Sequence, residues 1–102
     1  MFRSTTKTKH DQAVLIEANK YYSAGYTVTA DHNVFYPQPS KIGDFIPDVY
    51  AKRVVLGTLV EIVLEVETFD SVLSDEANKQ AIAFRFWVNQ YPERRNFKQV
   101  VV

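Results

Sequence analysis

Residues 59–68, LVEIVLEVET, decide the fold of this chain. The run is rich in β-branched and aliphatic residues, which predicts a strand. Strand side chains alternate between the two faces of a sheet. One face of this strand is aliphatic and consists of Ile62, Leu64 and Val66. The other face is acidic and carries Glu61, Val63, Glu65 and Glu67. Carboxylates about 7 Å apart on one face repel each other, so solvent, basic partners or a cation must compensate.

The elements around this strand follow from periodicity and from turn and capping residues. Gly25 stands where a helix ends, Gly57 marks a turn, and Ser74 precedes two acidic residues as a helix N-cap. The predicted elements are a helix at 8–24, strands at 26–30, 45–55 and 59–68, a helix from Ser74 to about residue 89 and a strand at 96–102. We therefore expect a mixed α/β domain in the order αβββαβ. The last strand should join beside the third through a right-handed helical crossover.

Length and composition exclude several classes of protein. The chain has 102 residues, enough for one domain, and 46% of them are hydrophobic, which is too many for disorder. The absence of cysteine excludes disulfide scaffolds, cysteine zinc sites and thiol nucleophiles. No apolar stretch reaches the roughly 18–20 residues of a membrane span, and the start lacks a secretory signal. We expect a cytoplasmic protein without membrane contact.

The chain stops inside an apolar run, FKQVVV. We therefore expect either a domain of a longer protein or a last strand that pairs with a partner. In the second case an exposed sheet edge would serve protein interaction.

The net charge of zero conceals an uneven distribution. Residues 1–41 carry +2, residues 42–76 carry −6 and residues 77–102 carry +4. The acidic middle predicts a site there, and the basic flanks could contact phosphate or form ordinary surface. The flanking candidates are Arg3, Lys7, Lys9, Arg94, Arg95 and Lys98.

Asp48 is the second element of the predicted site. A turn at Gly57 would pair residues 45–55 with the acidic strand, so that Asp48 faces Glu65 across a hairpin. Glu67 would complete a cluster of three carboxylates. Carboxylate oxygens are the ligands that Mg²⁺ takes in proteins. The alternative is an edge strand with its glutamates in water.

The runs IPDVY at 46–50 and EVET at 65–68 resemble the motif of the PD-(D/E)XK nuclease superfamily. Members of that superfamily share an αβββαβ core, the restriction-endonuclease-like fold. The resemblance implies that Asp48 and Glu65 hold one or two Mg²⁺ or Mn²⁺ ions for the cleavage of phosphodiester bonds in DNA. It also makes a homodimer plausible.

Further positions resemble elements found in members of the superfamily. Glu17 corresponds to an auxiliary acidic ligand on the first helix, with a solvated surface charge as the alternative. Gln80 and Phe84 resemble a QxxxY element with Phe in place of Tyr, and Lys79 lies beside them. The alternatives are a surface Gln80 and a core Phe84.

Glu67 stands where the motif has lysine, and this departure leaves three readings open. Glu67 could be a third ligand or the general base. Lys79 could supply the missing positive charge. Catalysis could also be lost, with the fold kept for nucleic-acid binding or protein assembly.

Other residues are predicted to be structural. His10 and His32 lack the spacing of zinc ligands, so we expect them on the helix surface and in a loop. Tyr21, Tyr22, Trp87 and the phenylalanines are predicted as core residues, not stacking platforms, because they fall on helical apolar stripes.

Overall fold

The computed structural model describes residues 5–102, and among the side chains those from residue 9 onward. Its elements are α1 (Thr5–Ser23), β1 (Thr27–Ala30), β2 (Val49–Val55), β3 (Thr58–Glu67), α2 (Asp75–Gln90) and β4 (Arg95–Val101). The described part of the chain is thus a small α/β domain with two helices and four strands. The predicted order of helices and strands is confirmed.

The four strands form one mixed sheet in the order β1-β2-β3-β4. The pairs β1–β2 and β2–β3 are antiparallel, whereas β4 runs parallel to β3 after the α2 crossover. The prediction that the last strand lies beside the third is confirmed. In the β2–β3 register Val49 pairs with Leu64, so the next residue outward, Asp48, stands opposite Glu65.

The β2–β3 turn fixes that register. Val55 pairs with Thr58, and only Leu56 and Gly57 lie between them, with φ angles of 50° and 81°. Positive φ at both positions is typical of the two-residue hairpin turn whose twist matches the strands. A slip by one residue would move every side chain of a strand to the other face. The turn therefore decides whether Asp48 and Glu65 share a face.

The first face of the sheet packs against α1. The buried cluster between this face and the helix consists of Val14, Ala18, Val28, Ala30, Val49, Ala51, Leu64 and Val66. Burying a side chain such as Val or Leu contributes about 1.5–3 kcal/mol to stability. Leu64 and Val66, from the aliphatic face predicted for β3, therefore belong to the core of the domain.

The second face of the sheet packs against α2. Trp87 contacts Tyr50 of β2 edge to face, and Phe84 contacts Phe97 of β4 with ring centroids 5.6 Å apart. Ser74 caps α2 as predicted, since its side chain accepts a hydrogen bond from the Ala77 amide. β3 is thus covered on both faces, and Glu61, Glu65 and Glu67 are only 7, 4 and 7% exposed. The alternative of an edge strand with solvated glutamates is wrong.

Some element ends differ from the predicted ones. β2 begins at Val49 and not at Phe45, which instead forms an isolated bridge with Ile42. Pro47 has no N–H to donate to a ladder, so regular pairing starts after it. Neither of the two helices in the described part of the chain contains an apolar run sufficient to span a bilayer.

Candidate functional site

An acidic cleft lies where the end of β3, the residues before β2 and the start of α2 meet. Its volume is about 410 Å³. Five carboxyl side chains line it: Asp31, Asp48, Glu65, Glu67 and Glu76. The remaining polar lining comes from His10, His32, Ser71, Ser74 and Gln80. None of the described side chains that line this cleft is a lysine or an arginine.

Asp48 is the best-anchored carboxylate in the cleft. The Val66 amide donates a hydrogen bond to Asp48 Oδ2 at 2.8 Å, and His10 Nε2 lies 3.3 Å from the same oxygen. His32 Nε2 lies 3.8 Å from Oδ1. Burial opposes the ionisation of Asp48, but hydrogen bonds from His10, Glu65 and the Val66 amide outweigh it and lower its pKa. Asp48 is therefore an anion held from several sides.

Glu65 has the opposite electrostatic environment. Its Oε1 is buried and finds no hydrogen-bond partner within the described residues. Burial first, and then the neighbouring Asp48, raise the pKa of Glu65 to about 11. The facing pair Asp48 and Glu65 therefore holds either a shared proton or a cation, because two buried anions side by side are unfavourable.

His10 belongs to the site, contrary to its prediction as a surface residue. The hydrogen bond to Asp48 raises the pKa of His10 to about 9, against the opposing effect of burial. The rings of His10 and His32 meet edge to face, with centroids 5.2 Å apart. His10 stands four residues before Val14, which stands four before Ala18. This four-residue spacing places His10 on the same helix face as the two buried residues, and it was the signal in the sequence that could have predicted an inward-facing His10.

Glu67 and Gln80, both predicted as site residues, also line the cleft. Ser71 donates a hydrogen bond from Oγ to Glu67 Oε2 at 2.5 Å. The role of Ser71 was missed, since a single serine in a loop carries no pattern. The structure thus brings Asp48, Glu65, Glu67 and Gln80 together.

Three other predicted positions lie elsewhere. Glu17 is outside the cleft lining and pairs with Lys20 along α1, at 3.0 Å. Lys79 is exposed on α2 and does not line the cleft. Phe84 is fully buried between Phe45 and Phe97, which agrees with the alternative of a core residue.

A second cluster surrounds Glu61 on the same face of β3. Tyr50 donates to Glu61 Oε1 at 2.6 Å, and Arg94 and Arg95 donate to Oε2 at 2.6 and 2.8 Å. Burial opposes the ionisation of Glu61, but these three donors lower its pKa. The parallel register of β4 places Arg95 beside Glu61. Arg94 and Arg95, candidates for phosphate contact in the sequence, are therefore engaged in an internal ion pair.

Of the other basic candidates, the two whose side chains are described, Lys9 and Lys98, do not line the cleft. Lys98 lies over the Tyr21 ring, with Nζ 5.7 Å from the centroid. Lys9 is exposed. Arg3 and the side chain of Lys7 lie outside the described residues.

Comparison of the chain with protein-family models, with curated proteins and with solved structures gives no significant match. Across the described residues, no three or more Asp, Glu, His or Cys side chains converge in an arrangement that could hold a metal ion. What the geometry does provide is one close pair of carboxyl groups, Asp48 and Glu65, with Glu67 in the same cleft.

Proposed function

We propose that the protein is a divalent-metal-dependent nuclease that acts on DNA, with Asp48 and Glu65 as its metal ligands. One observation carries this proposal: Asp48 faces Glu65 in an open cleft, and a buried oxygen of Glu65 has no partner within the described residues. The order αβββαβ, with β4 parallel to β3, supports the restriction-endonuclease-like core that the resemblance to PD-(D/E)XK nucleases implies.

The residues present are compatible with Mg²⁺ or Mn²⁺. Mg²⁺ is commonly bound through one or two carboxylates and keeps several waters, so the pair Asp48 and Glu65 suffices without a third converging ligand. The unpartnered Oε1 of Glu65 is a hard oxygen donor of the kind these ions prefer. When bound, the ion would lower the pKa of a coordinated water and offset charge on the scissile phosphate.

Other groups of the cleft hold Asp48 and Glu67 in place. His10 and the Val66 amide both engage Asp48 Oδ2, which holds that oxygen from two directions. Ser71 engages one oxygen of Glu67, which restricts that side chain to one orientation. In this arrangement Glu67 serves as a further ligand or as the general base, and Gln80 contributes a neutral amide at the cleft wall. Glu17 and Lys79 have no direct role.

A second candidate function is a non-catalytic module that binds nucleic acid or assembles with a partner. One observation favours it: Glu67 replaces the lysine of the motif, and none of the described side chains lining the cleft is a lysine or arginine that could substitute. This module would bind DNA in a salt-sensitive manner without metal-dependent turnover. The homodimer and the cytoplasmic location remain predictions under either function.

Cleavage assays separate the two functions. Plasmid and oligonucleotide DNA are incubated with the protein in Mg²⁺, in Mn²⁺ and in EDTA. We expect Asp48→Asn and Glu65→Gln each to lower the metal-dependent rate about a thousandfold, since a metal ion contributes several kcal/mol to transition-state stabilisation. Glu93→Gln, which removes an exposed carboxylate outside the cleft, is the matched control. Cleavage that persists in both cleft variants would refute the assignment.

A further inference from the structure

The loop between β3 and α2, residues 68–74, presents different side chains to the cleft and to solvent. Ser71 and Ser74 line the cleft. Phe69 and Leu73 point away from the core and are 81 and 91% exposed. Phe69 stands only two residues after Glu67, so its Cα lies within about 7 Å of the Cα of a cleft residue. A large aromatic side chain is thus exposed on the loop that borders the acidic cleft.

The exposure of Phe69 corrects the prediction that the phenylalanines belong to the core. Phe84 satisfies that prediction, whereas Phe69 has no regular stripe to join, because it lies in a loop. An exposed phenyl ring beside a cleft offers a flat apolar face to a ligand. In nucleic-acid binding, such rings stack on unpaired bases.

The charge of the cleft favours a DNA contact that does not rely on charge. Five carboxyl side chains and no described lysine or arginine line it, so the cleft itself does not attract a polyanion. Stacking of a base on an aromatic ring is insensitive to charge and tolerates any base. A base in a duplex is already stacked on both faces, so only an unpaired base can use the ring of Phe69.

We propose that Phe69 stacks on an unpaired base of the DNA next to the scissile phosphate, and that the substrate class is therefore single-stranded or locally unpaired DNA. The inference rests on the proposed function, because it takes the ligand of the cleft to be DNA.

Two measurements on the full chain test this proposal. The first is kcat/KM in Mg²⁺ for a single-stranded oligodeoxynucleotide and for its duplex. We expect the single strand to be preferred, and Phe69→Ala to lower its kcat/KM about five- to hundredfold, mainly through KM. Phe69→Trp should restore the value. Phe86→Ala is the matched control. Phe86 is exposed as well, at 69%, but it lies on α2 outside the cleft lining.

The second measurement does not depend on cleavage. A single-stranded oligonucleotide with 2-aminopurine is titrated with wild type and with Phe69→Ala, and the quenching of its fluorescence reports stacking. We expect quenching with wild type only. The factor lost in Phe69→Ala should be equal at 50 and 200 mM salt, whereas a phosphate contact would lose its effect as salt rises.

The outcomes separate this inference from the proposed function. If wild type cleaves single strand and duplex equally, and Phe69→Ala changes neither rate nor quenching, stacking is refuted while the nuclease stands. If wild type cleaves nothing but its quenching depends on Phe69, stacking stands while catalysis is refuted. If Phe69→Ala only converts a dimer to a monomer in sedimentation, Phe69 is an interface residue and the inference is wrong.

Discussion

Glu61 and Glu65 lie four residues apart on the same face of β3, and their environments are opposite. Both side chains are buried. Glu61 accepts hydrogen bonds from Tyr50, Arg94 and Arg95. Glu65 faces another carboxyl group, Asp48, and its Oε1 has no donor within the described residues. β3 therefore carries one carboxyl group whose two oxygens both accept hydrogen bonds and one with an oxygen that has no donor among the described residues.

The difference indicates which of the two is structural and which is functional. A buried carboxylate is costly unless it is paired and hydrogen-bonded. At Glu61 the two guanidinium groups and the phenol offset that cost, so nothing further needs to bind. At Glu65 the cost remains, and a strongly perturbed carboxyl group in a cleft is typical of functional sites. We expect substitutions at Glu61 to affect stability and substitutions at Glu65 to affect activity.

The largest effect on stability is expected from Glu61→Gln. This substitution leaves Arg94 and Arg95 without their anion. Breaking a buried ion pair costs about 3–5 kcal/mol, and we expect about 2–3 kcal/mol here because both arginines are partly exposed. Urea unfolding in EDTA measures the change, and Glu93→Gln serves as the exposed control. A loss below about 0.5 kcal/mol would show that the Glu61 cluster is not structural.

The structure also explains how far this contrast could be predicted from the sequence. Alternation along β3 and the turn at Gly57 are local signals, and they sufficed to predict that Asp48 faces Glu65. The pairing of Arg95 with Glu61 depends on the register of a parallel strand that arrives after a helix. No local pattern encodes that register, so the sequence predicted both arginines as phosphate contacts or ordinary surface charges.

The first helix shows the same limit. Among the described side chains of α1, Val14 and Ala18 are the buried ones, and they set the rotation of the helix about its own axis. His10 and Glu17 are seven residues apart and lie at nearly the same angle around the helix. His10 reaches Asp48, whereas Glu17, two turns further along, pairs with Lys20. The helix could be predicted from the sequence. Which of its turns faces the cleft depends on the position of α1 along the sheet, and no local pattern encodes that position. Phe69 was missed for a related reason, because loop residues have no periodicity to read.

The next prediction concerns Glu65→Gln and has the opposite sign. In EDTA at pH 7 we expect the free energy of unfolding to rise by about 0.5–2 kcal/mol, as is common when a functional group that destabilises the fold is replaced. The pKa of Glu65 is raised in the folded state, so its neutral form is favoured there. The contribution of Glu65 to wild-type stability is therefore constant below the unfolded pKa, near 4.5, and becomes less favourable as pH rises above it. The gain should disappear near pH 4.

The pH dependence of Glu61 distinguishes the two carboxylates within the same experiment. The pKa of Glu61 is lowered in the folded state, so its contribution is present above the unfolded pKa and is lost as pH falls through the folded one. Glu61→Gln should therefore be most destabilising at neutral pH and less so in acid. If Glu65→Gln lost stability at pH 7, the description of Glu65 as an unsatisfied carboxyl group would be wrong.

The smallest expected effect comes from the hairpin turn that serves both clusters. Leu56 is fully exposed and adopts a φ of 50°, a conformation that asparagine tolerates far better than leucine. Leu56→Asn should raise the free energy of unfolding by about 0.5–1 kcal/mol. Leu56→Val should lower the free energy of unfolding, because valine is β-branched. Cleavage by the folded protein should not change in either variant. Because the turn fixes one register for Glu61 and Glu65 alike, a variant that altered activity without altering stability would show that the two clusters are set independently.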